Sequence, residues 1–239
     1  MDTTKEALQY VVGLGKAEII EVNGHNYSTV ALERVTNPTP AALKATTLTS
    51  MIDYIKSKMD KKVSEKLLIH VVSPSKVVLQ SELRADEMRE TYMEVNALLP
   101  EISFGYFMDV EKFNIMLQST FVATEDKEIV LKVVGNVTDN VVKDTSDDGI
   151  SQAVTIKTGL AKKGDVLVPN PVNLAPYRSF PEIQQVETPF VFRMRQGREN
   201  PEAAIFEADG GAWRNECMLR IKDFLSKNLS DIKDVEIIC

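Results

Sequence analysis

The run Phe190-Val191-Phe192-Arg193-Met194-Arg195 alternates with a period of two, and only a β-strand keeps such a pattern on one face. Phe190, Phe192 and Met194 fall on one side, and Val191, Arg193 and Arg195 on the other. A turn at Gly197–Pro201 follows. The chain then returns through residues 203–208, with Ala204, Phe206 and Ala208 on the apolar side and Ile205, Glu207 and Asp209 on the other. Paired this way, Arg193 and Arg195 lie beside Glu207 and Asp209 as a cross-strand salt ladder. Two sharper chemistries use the same residues. Arg193 and Arg195, with Arg198, can bind phosphate. Glu207 and Asp209 can hold Mg²⁺ for phosphodiester chemistry, although no recognisable nuclease spacing surrounds them.

The rest of the chain mixes helix and strand without regular βαβ order, which predicts an α+β fold with a largely antiparallel mixed sheet and several packed helices. Residues 4–14 read as a short helix. Residues 18–22 form a strand that turns at Asn23-Gly24, a strong hairpin signal. Asn37-Pro38-Thr39-Pro40 is a break. Helical spacing covers 47–59 through Leu48, Met51, Ile52, Ile55 and Met59. Leu67–Val72 and Lys76–Gln80 are strands. Residues 86–98 fit helix or strand, and so do 128–135. Asp109 can cap a helix at 110–122. Residues 165–189 carry five prolines, which favours an extended, irregular arm. A strand at Thr188–Arg195, a helix at 212–228 and a strand at 234–238 complete the pattern. No linker divides the chain, so one domain over 1–239 is expected.

Composition removes several function classes. The 239 residues are 44% hydrophobic and 26% charged, as in ordinary globular chains. The net charge of −7 argues against a strongly electrostatic binder of DNA or acidic membrane. No apolar run is long enough to span a bilayer, and the start of the chain is polar, so a cytoplasmic protein without a membrane partner is expected. Cys217 and Cys239, with His25 and His70, are too scattered for a zinc site, and two histidines leave little for a histidine mechanism. No metal or cofactor is expected.

Weaker motifs have simpler explanations. Gly13-Leu14-Gly15 starts like a dinucleotide fingerprint, but Glu18 stands at the third glycine and a helix precedes it. Asp144–Gly149 resembles a calcium loop, but Thr155 replaces the bidentate Glu, so a hairpin turn at Asp147-Asp148-Gly149 is the reading. Asp209 caps the helix after Gly210-Gly211, and Trp213, Cys217, Ile221, Phe224 and Leu225 form its apolar stripe. His70 reads as a hydrogen-bonded core histidine.

Three stretches carry a resemblance: residues 168–183, beginning Val168-Pro169-Asn170-Pro171; Phe206–Trp213; and Asp147–Gln152, with Gly24–Leu32 beside them. Together they resemble a phage and prophage family that includes the YfdQ-like proteins of enterobacterial prophages, over roughly residues 20–225. The resemblance supplies no catalytic residues. It implies a phage-encoded protein of the host cytoplasm, expressed beside early genes. The residues themselves offer no catalytic arrangement, so a non-enzymatic, self-assembling protein is expected. Such a protein acts by binding, in early phage DNA metabolism or against a host defence. Its partner would be a second copy or a host or phage protein. Pro169, Pro171, Tyr177, Arg178 and Phe180 of the arm are then interface residues. Two alternatives remain: an Mg²⁺-dependent nucleic-acid-processing enzyme using Glu207 and Asp209, and a single-strand DNA-binding or annealing protein using Arg193, Arg195 and Arg198.

Overall fold

Local rules place most elements. The computed structural model describes residues 4–15, 17–31, 38–60, 66–136, 152–158 and 162–239. The Asp144–Gly149 turn lies outside them. Contacts divide the chain into two units, Met1–Thr39 and Pro40–Cys239, where one domain was expected. The boundary falls in the Pro38-Thr39-Pro40 break, where proline removes the backbone donors that would knit the flanks together.

The first unit holds helix α1 (Lys5–Leu14) and the hairpin β1 (Ile19–Val22) and β2 (His25–Ser28). Thr4 caps α1 by accepting from Ala7 N at 3.3 Å. Asn23 and Gly24 take positive φ of 53° and 80°, as a two-residue hairpin turn demands.

The second unit runs β3 (Leu43–Ala45), α2 (Leu48–Ser57), β4 (Leu67–Ser73), β5 (Lys76–Ser81), β6 (Thr91–Asn96), β7 (Met108–Asp109), α3 (Val110–Thr120) and α4 (Glu125–Asn136). It continues through β8 (Gln152–Thr158), β9 (Lys162–Val168), β10 (Val172–Leu174), β11 (Thr188–Gln196), β12 (Pro201–Glu207), α5 (Trp213–Asn228) and β13 (Val235–Ile238). The ambiguity over 86–98 resolves to the strand β6, and that over 128–135 to the helix α4. Asp109 caps α3, its Oδ1 accepting from Glu111 N at 2.9 Å.

One sheet has the order β13-β4-β5-β6-β3, with β13 parallel to β4 and β3 parallel to β6. The other has the order β10-β11-β12-β7 and is antiparallel throughout. β8 and β9 form a separate antiparallel ribbon. The fold is therefore α+β, with mixed, mostly antiparallel sheets.

Each larger sheet buries a face against two helices. Met51 and Ile55 of α2 and Ile221 and Leu225 of α5 cluster with Ile69, Val71, Val77, Leu79 and Val95. Phe113 and Leu117 of α3 and Val130 and Val133 of α4 cluster with Phe190, Phe192 and Ile205. His70 is half-buried on β4 rather than enclosed in the core, because its alternate neighbours Ile69 and Val71 take the inner positions.

Residues 165–189 include extended backbone, yet they do not stand off from the core. Val172 and Leu174 enter one cluster, while Phe180, Ile183 and Val186 enter the other. Glu182 also reaches the start of α2, its Oε1 accepting from Thr49 N at 3.2 Å. The arm expected from the prolines is thus the strap between the two cores.

Candidate functional site

Where the strap passes between the cores it carries one buried cation. Arg178 is 8% exposed. Its Nη1 donates to Glu207 Oε1 at 2.6 Å and its Nη2 to Thr188 Oγ1 at 2.9 Å. The guanidinium lies 3.9 Å from the ring centre of Trp213 and 5.6 Å from that of Phe190. One ring belongs to each hydrophobic cluster. The backbone is fixed as firmly, since Gln185 Oε1 accepts from the N–H groups of Arg178 at 3.0 Å and Ser179 at 3.1 Å. Ser179 Oγ donates to Pro74 O at 2.5 Å, tying the strap to the β4–β5 turn.

Asp209 closes the cluster. Its Oδ1 accepts from Gly211 N and its Oδ2 from Trp213 N, both at 3.0 Å, which holds the turn that leads into α5; the N-cap position itself is Ala212. Gly210 and Gly211 adopt φ of 63° and 84°, a turn that L side chains resist. Burial alone would raise the Asp209 carboxyl, but the two N–H donors and the Arg178 charge outweigh it and hold the group below its ordinary value. Burial lowers Arg178, and Glu207 and Asp209 oppose that shift. Cys217, one turn into α5, is buried, and burial pushes its thiol up.

The arginines of β11 are arranged differently from the sequence expectation. The register pairs Arg193 with Ala204, Arg195 with Glu202, and Phe190 with Glu207. Ala203 and Ile205 therefore share the face of Phe192 and Met194, and the expected ladder to Glu207 and Asp209 is absent. The cause is the turn. Gly197 N donates to Asn200 O at 3.0 Å and Gln196 pairs with Pro201, which shifts the return strand by one residue and turns over every side chain on it.

Arg195 instead bonds Glu202 at 2.7 Å and lies 4.0 Å from the ring centre of Phe107. It shares an open cleft of about 630 Å³ with Arg198, Asp109, Glu199 and Glu202. Arg193 is half-buried and donates to Phe192 O at 3.0 Å, so it does not join Arg195 and Arg198 there. The carboxylates in that cleft outnumber its cations, which does not suit a phosphate.

Glu207 and Asp209 both lie near Arg178, one as its ion-pair partner and the other bonded to the backbone of the turn into α5. Among the described residues no group of three or more His, Cys, Asp or Glu side chains is placed to hold a metal ion. Of the expected interface residues, Phe180 and Arg178 are buried in their own chain, Pro169 is half-buried, and Pro171 and Tyr177 are exposed. Phe180 and Arg178 are thus removed from any contact surface, because the chain's own cores enclose them. Among the described residues no helix is long and apolar enough to cross a membrane.

Sequence reasoning missed two features. The Arg178–Glu207 pair joins residues far apart in sequence, and no spacing rule reports such a contact. The apolar surface of the first unit was legible in Tyr10-Val11-Val12 and Ile19-Ile20, but those residues read as ordinary secondary structure. No family profile, curated protein or solved structure matches this chain.

Proposed function

We propose that this protein is a non-enzymatic, self-assembling homo-oligomer that acts by binding. On the resemblance of residues 168–183 and 206–213, we assign it to a phage, working in the host cytoplasm during early DNA metabolism or against a host defence. One observation carries the assembly reading. In the Met1–Thr39 unit every described side chain with an assigned exposure is exposed, including Tyr10 at 70%, Val12 at 66% and Ile19 at 69%.

A ten-residue helix and a two-stranded hairpin are each marginal alone in water. A unit of this size needs staples or oligomerisation to persist, and the chain's cysteines, 217 and 239, lie outside it. Full burial of one large apolar side chain contributes about 1.5–3 kcal/mol, so several such residues from each copy are needed to offset the roughly 4–15 kcal/mol cost of association. A second copy is the natural partner, because it brings the same apolar surface and the same need to cover it.

Light scattering coupled to size-exclusion chromatography tests the reading. The full chain should elute at a multiple of 26.7 kDa. The double variant Val12→Glu/Ile20→Glu changes only exposed side chains and should shift the mass to that of a monomer. A wild-type monomer at micromolar concentration would sink the proposal.

A further inference from the structure

The five-stranded sheet ends on β13, and one side of that strand pairs with nothing among the described residues. Asp234 O accepts from Leu67 N at 2.9 Å, which fixes which backbone groups face β4. Along a strand these groups alternate in direction, so Glu236 also faces β4 while the N–H and C=O of Val235 and Ile237 point away from the sheet. β13 has no proline, no lysine and no bulge; its protection against pairing is limited to its four-residue length and the single charge of Glu236.

Helix α5 runs beside this edge and leaves a groove of about 330 Å³. Leu229, Ile232, Val235 and Ile237 give it an apolar floor, with Lys222 and Ser226 on the helix side and Ser230 at the rim; Glu236 also borders it, but its side chain alternates to the face opposite Val235 and Ile237. The neighbouring cations of α5 are paired, Lys227 with Asp223 at 2.6 Å and Arg220 with Glu216. Lys222 is half-buried, and no carboxylate among the described residues lies within ion-pair distance of it. An open backbone edge, an apolar floor and an unpaired cation therefore lie together.

We propose that this groove captures an extended segment of a partner protein by strand addition. The segment pairs its backbone with Val235 and Ile237, sets an apolar side chain on Leu229 and Ile232, and offers a carboxylate to Lys222. A four-residue edge spans about 13 Å, so the recognised segment is short and its partner is an acidic, apolar-alternating peptide rather than a broad surface. The inference is independent of assembly through the first unit.

The probe is a displayed library of random heptapeptides, panned against the full-length protein with the Lys222→Glu variant as counter-target. Enriched sequences should alternate apolar residues and carry Asp or Glu. The best of them, made synthetically, should bind the variant at least tenfold more weakly. In hydrogen exchange it should slow the amides of Val235 and Ile237. Circular dichroism of the variant should match wild type, since Lys222 supports no contact in the fold. Any of four results overturns the proposal: no enrichment over the counter-target, equal affinity for Lys222→Glu, no protection at those two amides, or protection of those amides before any peptide is added together with a mass that stays doubled in Val12→Glu/Ile20→Glu. The last would mean that a second copy already covers the edge.

Discussion

Truncating Arg178 to Ala should cost about 3 kcal/mol of stability, and the structure sets that figure. One-sided rupture of a fully buried ion pair costs about 3–5 kcal/mol. Glu207 retains 33% of its side-chain exposure and can recover water, so its share falls well below that range. Thr188, 6% exposed, loses the donor to its Oγ1 and adds about 1 kcal/mol. Loss of the guanidinium from the face of Trp213 adds about 1–2 kcal/mol. With a urea slope of about 2–3 kcal/mol/M, the unfolding midpoint should fall by about 1–1.5 M at an unchanged slope. Arg178→Lys keeps the charge but loses the planar fork, and it should recover less than half of the difference. A double-mutant cycle with Glu207→Ala should return a coupling of about 1–2 kcal/mol. A single-variant loss under about 1 kcal/mol, or a cycle additive within about 0.3 kcal/mol, would refute the view that this pair holds the two cores together.

Three further outcomes follow from the geometry. Asp209 has a depressed folded pKa, so its stabilisation is complete above the unfolded value of about 3.9 and disappears as pH falls through the lower folded one. Acid titration of Asp209→Asn should lack that decline, and an identical acid midpoint would contradict its hold on the turn. Tyr54 donates to Asp60 Oδ2 at 2.8 Å and its pKa is pushed up to about 12, by burial first and then by that bond. Its contribution should vanish as pH rises from about 10 towards 12. Ultraviolet titration should therefore show a late-ionising tyrosine that Tyr54→Phe removes. Cys217 is 2% exposed with a raised pKa, whereas Cys239 is exposed, so a thiol reagent should label one cysteine quickly and the other only in denaturant. Equal labelling rates in the native protein would argue that α5 opens readily.

The legible parts of this fold obey rules that span a few residues. Asn23-Gly24 dictates its turn, Asp109 dictates a cap, Asp209 ties the turn before α5, and the alternation from Phe190 to Met194 dictates which side chains of β11 go inside. The illegible parts depend on distant partners. Ala203-Ala204-Ile205 is apolar on both faces of β12, and all three are buried, so hydrophobicity could not choose between two registers one residue apart. The turn chose instead, through a bond from Gly197 to Asn200 that composition does not encode. The prolines of 165–189 correctly report extended backbone. They are silent on whether it reaches away or lies between two cores, which Phe180 and Val172 decide by being buried in different clusters. The same ambiguity hid the candidate site, since Arg178 looked available to a partner until Glu207, Thr188 and two rings enclosed it.

That enclosure bears on where binding can occur. A catalytic group needs a donor or acceptor left free for substrate. Around Arg178 most of those groups are engaged: both carboxylate oxygens of Asp209 accept backbone N–H groups, and the guanidinium serves Glu207 and Thr188, while Glu207 keeps 33% of its side-chain exposure. Trp213 Nε1 is buried without a partner, and Trp213 is the sole tryptophan of the chain. Its fluorescence therefore separates two kinds of ligand. A ligand that enters the joint must meet the indole or displace Arg178 from its face, and the emission should shift. A peptide paired along β13 meets neither group, and the emission should hold constant while amide protection changes. A titration in which binding and the Trp213 signal move together would place function at the joint and overturn the assignment of binding to the open edge and the apolar first unit.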